Sequence, residues 1–260
     1  MPFPCPLPAI RYTLMKPQTT EAIVLHTFPA RERDKLVVFL TPEHGKRKGW
    51  AYGARGGRTR FGASLEPLAK VRIGFLEKEN DEVVRIESVD LIRSLFPAQQ
   101  NLLASVAASY IAETVDVFAQ ADDPLELVYR LLDKTTEALL NGAAPLAVVA
   151  YAEIWILRLG GVLPTPKHCI ECHQPLERPL RFEARAQGFA CQWCATAEAE
   201  VVPNDVAAAL DDLLRLPVAD FRAPDAILFE LRAFAGSVRR HFLGHELKSF
   251  DVLASVLARR

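Results

Sequence analysis

From Glu21 to about Leu91 apolar and polar residues alternate in short runs broken by turn residues, the period-two pattern of β-strands with one buried face. "EAIVLHTF", "DKLVVFLTPEHG", "GWAYG", "LAKVRIGFLEKEND" and "EVVRIESVDLI" give five candidate strands. In the fourth, Ala69, Val71, Ile73 and Phe75 share one face, while Lys70, Arg72 and Gly74 share the other, which the alternation predicts to be wet and basic.

After "FPAQQN" the period changes to 3.6. "NLLASVAASYIAETVDVFAQ" sets Leu102, Val106, Ser109 or Tyr110, Glu113 and Val117 along one helical side. "PLELVYRLLDKTTEALLNG" exits on Asn141-Gly142, and a third helix runs from Pro145 to Leu159 before Gly160-Gly161. A short helix in "PNDVAAALDDLLRLP" and a last helical stretch from Asp225 to Ala258 complete the pattern. Five short strands in about 70 residues suit a small closed barrel, of which the five-stranded oligonucleotide-binding (OB) form is the commonest soluble kind. An SH3-like barrel has compatible spacing. The expected fold class is α+β and multidomain: an N-terminal five-stranded OB-like barrel, an α-helical bundle and a four-cysteine zinc-finger insertion. The expected boundaries are a tail over 1–18, the barrel over 19–93, helices over 94–164 and 201–260, and the insertion over 165–200.

Composition narrows the class of partner. Half the residues are hydrophobic and 24% charged, enough to bury a core, and the formal net charge is −1. Global charge therefore argues for no polyanionic partner, but local charge does. Between His44 and Leu65 stand Lys46, Arg47, Lys48, Arg55, Arg58 and Arg60 without an Asp or Glu, interleaved with Trp50, Tyr52 and Phe61. Cations neutralise phosphates, and aromatic faces accept unstacked bases. The alternative reading is a solvated cationic hairpin with Trp50 and Tyr52 in the core. Lys35, with Arg31 and Arg33, extends the patch; Arg239, Arg240, His241, His245 and Lys248 form a second basic group that reads equally as a solvated helix face. The longest apolar run, Pro145–Gly161, contains Glu153 and Arg158 and falls short of the roughly 20 residues of a membrane span. The Pro-rich N-terminus lacks the architecture of a secretory signal, so a cytoplasmic protein is expected.

Cys169, Cys172, Cys191 and Cys194 follow C-x₂-C-x₁₈-C-x₂-C, with only Cys5 outside the set. Two residues between cysteines let one turn aim both thiolates at one ion, and two such knuckles complete the tetrahedron of a structural zinc. Four sulfurs close the coordination sphere that a catalytic zinc leaves open, so the ion is expected to be a staple, with His168 and His173 beside it rather than on it. "GHELKS" begins like a zinc-protease motif, but Ser249 stands where the second histidine belongs. A deaminase H-x-E, a Walker loop and a Rossmann fingerprint are all missing, and no catalytic role is expected.

The block "EAIVLHTFPARERDKLVVFLTPEHGKRKGWAYGARGGRTRFGASLEPL", the helical middle, the cysteine insertion and the terminal "HFLGHELKSFDVL" together resemble the RecO family of bacterial recombination-mediator proteins. The resemblance covers essentially everything after Met15, and the proline-rich tail departs from it. It implies a nucleoid-associated protein that binds single- and double-stranded DNA, anneals complementary strands, and with RecR helps RecA replace single-strand-binding protein. Family-style DNA contacts fall on Lys35, Lys46, Arg47, Lys48, Arg55, Arg58, Arg60, Arg72, Arg239 and Arg240, and metal ligands on the four cysteines. The rival readings are an RNA-binding or ribosome-associated module and a nucleic-acid-joining enzyme; the latter lacks its nucleotide-binding lysine motif.

Overall fold

A computed structural model describes residues 16–56, 61–77, 82–119 and 125–258. Strands β1 (Lys16–Ala30), β2 (Asp34–Thr41), β3 (Gly45–Ala51), β4 (Lys70–Glu77) and β5 (Val83–Arg93) close into a barrel in the order β1-β2-β3-β5-β4, the OB-like arrangement. β3 and β5 pair in parallel and the other neighbours antiparallel. Closure rests on β1, which pairs with β4 through its first half and with β2 through its second, its register shifting between Val24 and His26. Such a bulge bends a strand, which lets one strand serve two sides of a small barrel. β1 begins at Lys16, so the expected tail over 1–18 overlaps the sheet: Lys16, Pro17 and Gln18 pair with Glu77, Leu76 and Phe75.

Ala22, Val24, Val37, Phe39, Ala51, Val71, Ile73, Phe75, Val84 and Ile86 fill the interior, with Leu65 from the adjoining one-turn helix Gly62–Leu65 and Phe61 just before it. Gly49 is fixed by this core, because a Cβ there would stand 2.7 Å from Cγ1 of Ile86. The outward side of β1 and β2 is not wet: Ile23, Leu25, Val38 and Leu40 join the core of the helices.

Among the described residues seven helices follow: α1 (Phe96–Gln99), α2 (Leu102–Phe118), α3 (Glu126–Leu140), α4 (Pro145–Leu159), α5 (Asn204–Arg215), α6 (Asp225–Leu243) and α7 (Lys248–Leu257). Between α4 and α5 lies a small sheet of β6 (Leu180–Glu183), β7 (Gly188–Ala190) and β8 (Glu200–Val202), ordered β7-β6-β8. β8 carries the insertion past residue 200. Asn101 caps α2, its side chain accepting from the N–H groups of Leu103 and Ala104. The expected apolar side of α2 is corrected at both ends. Leu102 is 65% exposed and Val117 is exposed, while Leu103, Ala107, Tyr110, Ile111 and Thr114 are buried. Neighbours on more than one side, α4, α7 and the barrel, choose a broader face than one stripe suggests.

The expected last helix is two. Gly244, at φ 74°, ends α6 in the left-handed conformation that glycine adopts without a Cβ penalty. His245 and Glu246 therefore sit in a turn, not on a helix. The N-terminus of α7 lacks a cap from its own N-cap residue; Glu113 of α2 supplies one, its carboxylate accepting from Lys248 N–H (2.9 Å) and Ser249 N–H (2.7 Å). Burial works to raise the Glu113 carboxyl, but the bonds from the Ser249 hydroxyl and these two backbone groups outweigh it and hold it below the ordinary 4.5.

Arg239 is completely buried. Its Nε donates to Glu153 Oε1 (3.2 Å) and its Nη1 to Glu246 Oε1 (2.6 Å), while the Tyr110 hydroxyl donates to Glu153 Oε1 (2.7 Å). The group ties α2, α4, α6 and the Gly244 turn together. Burial pushes the Glu153 carboxyl upward against the pull of Arg239, and burial likewise raises the Tyr110 phenol. Arg239 is thus a core residue, and its expected role as a DNA contact is withdrawn.

Two outcomes follow for stability. Arg239→Ala leaves a buried carboxylate without its cation and should cost about 3–5 kcal/mol in denaturant unfolding, against about 0.5 kcal/mol or less for the half-exposed Arg240→Ala. Glu113→Gln should cost about 1 kcal/mol at neutral pH. A lowered carboxyl stabilises above its unfolded pKa and loses that contribution as pH falls through the folded value. The difference between Glu113→Gln and parent, followed by unfolding across acidic pH, should therefore close; a constant difference would make charge irrelevant there.

Candidate metal centre and nucleic-acid interface

The four cysteines converge. Their sulfurs all lie within 4.8 Å of one another, and Cys172 Sγ stands 3.8 Å from Cys191 Sγ. Sulfurs at 2.3 Å from a central zinc span tetrahedron edges of about 3.8 Å, so the spacing fits an ion. Each knuckle is built by backbone bonds. His173 N–H donates to Cys169 O, and Cys194 N–H and Ala195 N–H donate to Cys191 O. His173, at φ 60°, takes the left-handed position that turns the first knuckle, and neither it nor His168 joins the sulfur cluster. Backbone N–H groups, Cys172's first, hold the Cys169 thiol down to about 6, while proton sharing with Cys191 and then Cys172 pushes Cys194 up to about 12. One thiol is ready to ionise, and another keeps a proton that a cation would displace.

Gly188 lets the first knuckle lie close: a Cβ there would meet Cγ2 of Ile170 at 2.3 Å. Phe182 and Phe189 pack edge to face at 5.2 Å, and Phe182 meets Phe234 of α6 at 5.6 Å, docking the ribbon on the helical body. Trp193, on the second knuckle, is 86% exposed.

The basic residues of the barrel do not form one patch. β-strand parity divides Lys46, Arg47 and Lys48. Lys46 points outward into the helices and binds Asp116 of α2 (Nζ to Oδ1 3.1 Å). Arg47 has inward parity at one end of the barrel and pairs with Glu77 at 2.8 Å. Lys48 is exposed. The expected wet face of β4 is also largely spoken for. Lys70 lies 3.1 Å from both Glu21 and Asp133, and those two carboxylates outweigh its burial and raise its pKa; Arg93 meets Asp133 as well. Arg72 is exposed between register partners Glu21 and Asp90. Lys46 and Arg47 are corrected from free surface cations to residues held by carboxylates. Arg58 and Arg60 lie outside the described residues.

At the other end of the barrel the balance reverses. The turn between β1 and β2 carries Arg31 and Arg33, and the turn after β3 carries Arg55. Arg55 N–H donates to Arg33 O (3.0 Å) and its Nη1 donates to Arg31 O (3.0 Å), so one backbone and one side-chain bond gather three arginines. Among the described residues no carboxylate lies within ion-pair distance of Arg31, Arg33, Lys48 or Arg55. Lys35 is partly buried nearby on β2. Arg85 adds a fifth cation to this end, answered by Glu87 at 2.6 Å. The basic run in the sequence missed Arg85, whose outward parity opposite Trp50 was its only signal. Phe61, one of the expected stacking rings, is buried in the barrel, whereas Trp50 is half-buried and Tyr52 exposed.

An OB-like barrel joined to a helical body with a four-cysteine ribbon defines the class of the molecule. Comparison with known proteins specifies it. The family model described as recombination protein O, N terminal, matches residues 15–95, and that for its C terminal matches residues 99–251. The DNA repair protein RecO of Koribacter versatilis (strain Ellin345) is 32% identical over 240 residues, 90% of this chain and 97% of that protein. The DNA repair protein RecO of Myxococcus xanthus (strain DK1622) is 30% identical over 243 residues, 91% and 96% respectively. That of Bacillus pumilus (strain SAFR-032) is 29% identical over 197 residues, covering 76% and 75%. The chain belongs to the RecO family.

Replacing Cys191 and Cys194 by Ser should abolish bound metal in elemental analysis and destabilise the fold. A loss on the order of 3 kcal/mol corresponds to a fall of about 6–12 °C in melting temperature. An unchanged melting temperature in a metal-free variant would show that the sulfurs hold nothing the fold needs.

Proposed function

We propose that this protein acts in recombinational DNA repair as a mediator that works by binding rather than by catalysis. It holds single- and double-stranded DNA without reading sequence, anneals complementary strands, and with RecR helps load RecA on DNA covered by single-strand-binding protein. The observation that carries the reading is the end of the barrel where Arg31, Arg33, Lys48 and Arg55 make no ion pair among the described residues, Glu32 and Asp34 of the same turn included. Like charges brought together repel, and a polyphosphate is the ligand that relieves them while releasing its own counterions. Membership of the RecO family, whose relatives are named DNA repair proteins, supports the same reading.

Lys48 and Arg55 are the central DNA contacts and Lys35, Arg72 and Arg240 the secondary ones, with Arg58 and Arg60, outside the described residues, included on the sequence alone. Annealing then needs no active site. Two strands held on one cationic surface are screened from each other, and base pairing supplies the rest. The barrel is the DNA-binding domain, the helices its support, and the ribbon an insertion stapled by one zinc ion on Cys169, Cys172, Cys191 and Cys194. No helix among the described residues is long and apolar enough to cross a membrane, and the work is assigned to the cytoplasm, at the nucleoid.

Affinity should fall steeply with salt, log K against log salt having a slope of about −0.7 per neutralised phosphate on a single strand, and should vary little with sequence. Lys48→Glu with Arg55→Glu should weaken binding of both DNA forms and flatten that slope by about 1.4 or more, with the melting temperature unchanged. Equal affinity and slope in titrations of variant and parent would remove this surface from the account.

A further inference from the structure

Four positions matched in register cross the outside of the barrel. Phe28 of β1 stands opposite Leu36 of β2, Leu36 opposite Trp50 of β3, and Trp50 opposite Arg85 of β5. Paired positions project to the same face, so three inter-strand steps make a row about 14 Å long. Tyr52, just past β3, carries the row onward: the Arg85 guanidinium lies 5.7 Å from its ring, and the Arg31 guanidinium lies 6.0 Å from that of Trp50. Phe28 is 49% exposed and Tyr52 41%. These two are the exposed large aromatics of the barrel among the described residues, whereas outward Ile23, Leu25, Val38 and Leu40 are covered by the helices.

Two properties therefore coincide: exposed ring surface on Phe28 and Tyr52, with one arginine over each of the Trp50 and Tyr52 rings, and the cations Arg31, Arg33, Lys48 and Arg55 around them without carboxylate partners. A neutral lipid phase or an apolar protein face would answer the rings but strand the charges. A chain of phosphates with free base faces answers both.

We propose that Phe28, Trp50 and Tyr52 form a stacking platform for unpaired bases, giving the barrel a preference for single strands over duplex. The inference rests on the nucleic-acid reading above and adds the contacts that discriminate between strand states. In a duplex each base face is covered by its neighbour, so the rings gain nothing there, while phosphates interact with the arginines in either form. Ring contacts therefore contribute to single strands alone, and they contribute without counterion release.

The test uses the full chain, an oligothymidine and a mixed-sequence duplex of equal length. Phe28→Ala and Tyr52→Ala, both at exposed positions, should each weaken oligothymidine binding about 5- to 100-fold while leaving duplex affinity and both salt slopes unchanged. Tyr52→Phe, which keeps the ring, should bind as the parent does, and melting curves of all variants should overlay. Equal losses on single strand and duplex would make the rings mere props for the arginines and overturn the proposal. No loss on either DNA would also overturn it. In that case a continuing loss in Lys48→Glu with Arg55→Glu leaves the cationic-surface reading standing, whereas failure of the charge variants as well removes both. Polyglutamate binding that vanishes with the rings while oligothymidine binding persists would identify the row as a protein-docking face instead.

Discussion

One face of the barrel is sealed to the helical body by charge as well as by apolar contact, and the distribution of all other charge depends on that seam. Lys46 on Asp116, and Lys70 and Arg93 on Asp133, bridge the barrel to α2 and α3, around the shared core of Ile23, Leu25, Val38 and Leu40. Partly buried pairs of this kind orient the two bodies more than they stabilise them, because desolvation offsets much of the attraction. Their effect here is to sort the cations. Those on the seam pair with carboxylates; at the far end Arg85 pairs with Glu87, while Arg31, Arg33, Lys48 and Arg55 make no ion pair among the described residues. A chain whose net charge is near zero thereby presents a local positive surface.

The helical body supplies the rigidity that this sorting requires. Arg239, buried among Tyr110, Glu153 and Glu246, fixes where α6 stops and α7 begins, and Glu113 fixes how α7 starts. Both devices bring a side chain from one helix to the end of another, so the body is specified by polar matching as well as by burial. The four-cysteine ribbon shares the core of the helices and docks on α6 through Phe182, Phe189 and Phe234. Its sulfurs suit one tetrahedral ion, and nothing in the proposed DNA contact passes through it.

A cationic surface and an aromatic row divide the proposed work of the barrel. Charge attracts any nucleic acid and is weakened by salt, while stacking acts only on bases that have lost their neighbours. On that proposal pairing would hide the base faces, the ring contacts would lapse, and only the salt-sensitive part would remain.

The sequence by itself determined the five barrel strands, the order of barrel, helices and insertion, and the four cysteines that come together. Period-two alternation reports one buried strand face whatever lies beyond it, and the two C-x₂-C turns are local enough for spacing alone to define their geometry. It did not determine which cations are free. Lys46, Arg47 and Lys48 are adjacent in the chain, yet strand parity and closure send one to the helices, one to Glu77 and one to solvent. Nor did it distinguish Arg239 from Arg240, neighbours whose surroundings differ as core differs from surface. Phe28, Trp50 and Arg85 share a row only because three strand pairings bring them into register. Tertiary structure decided those matters, because charge pairing and cross-strand adjacency depend on distances that the order of residues does not encode.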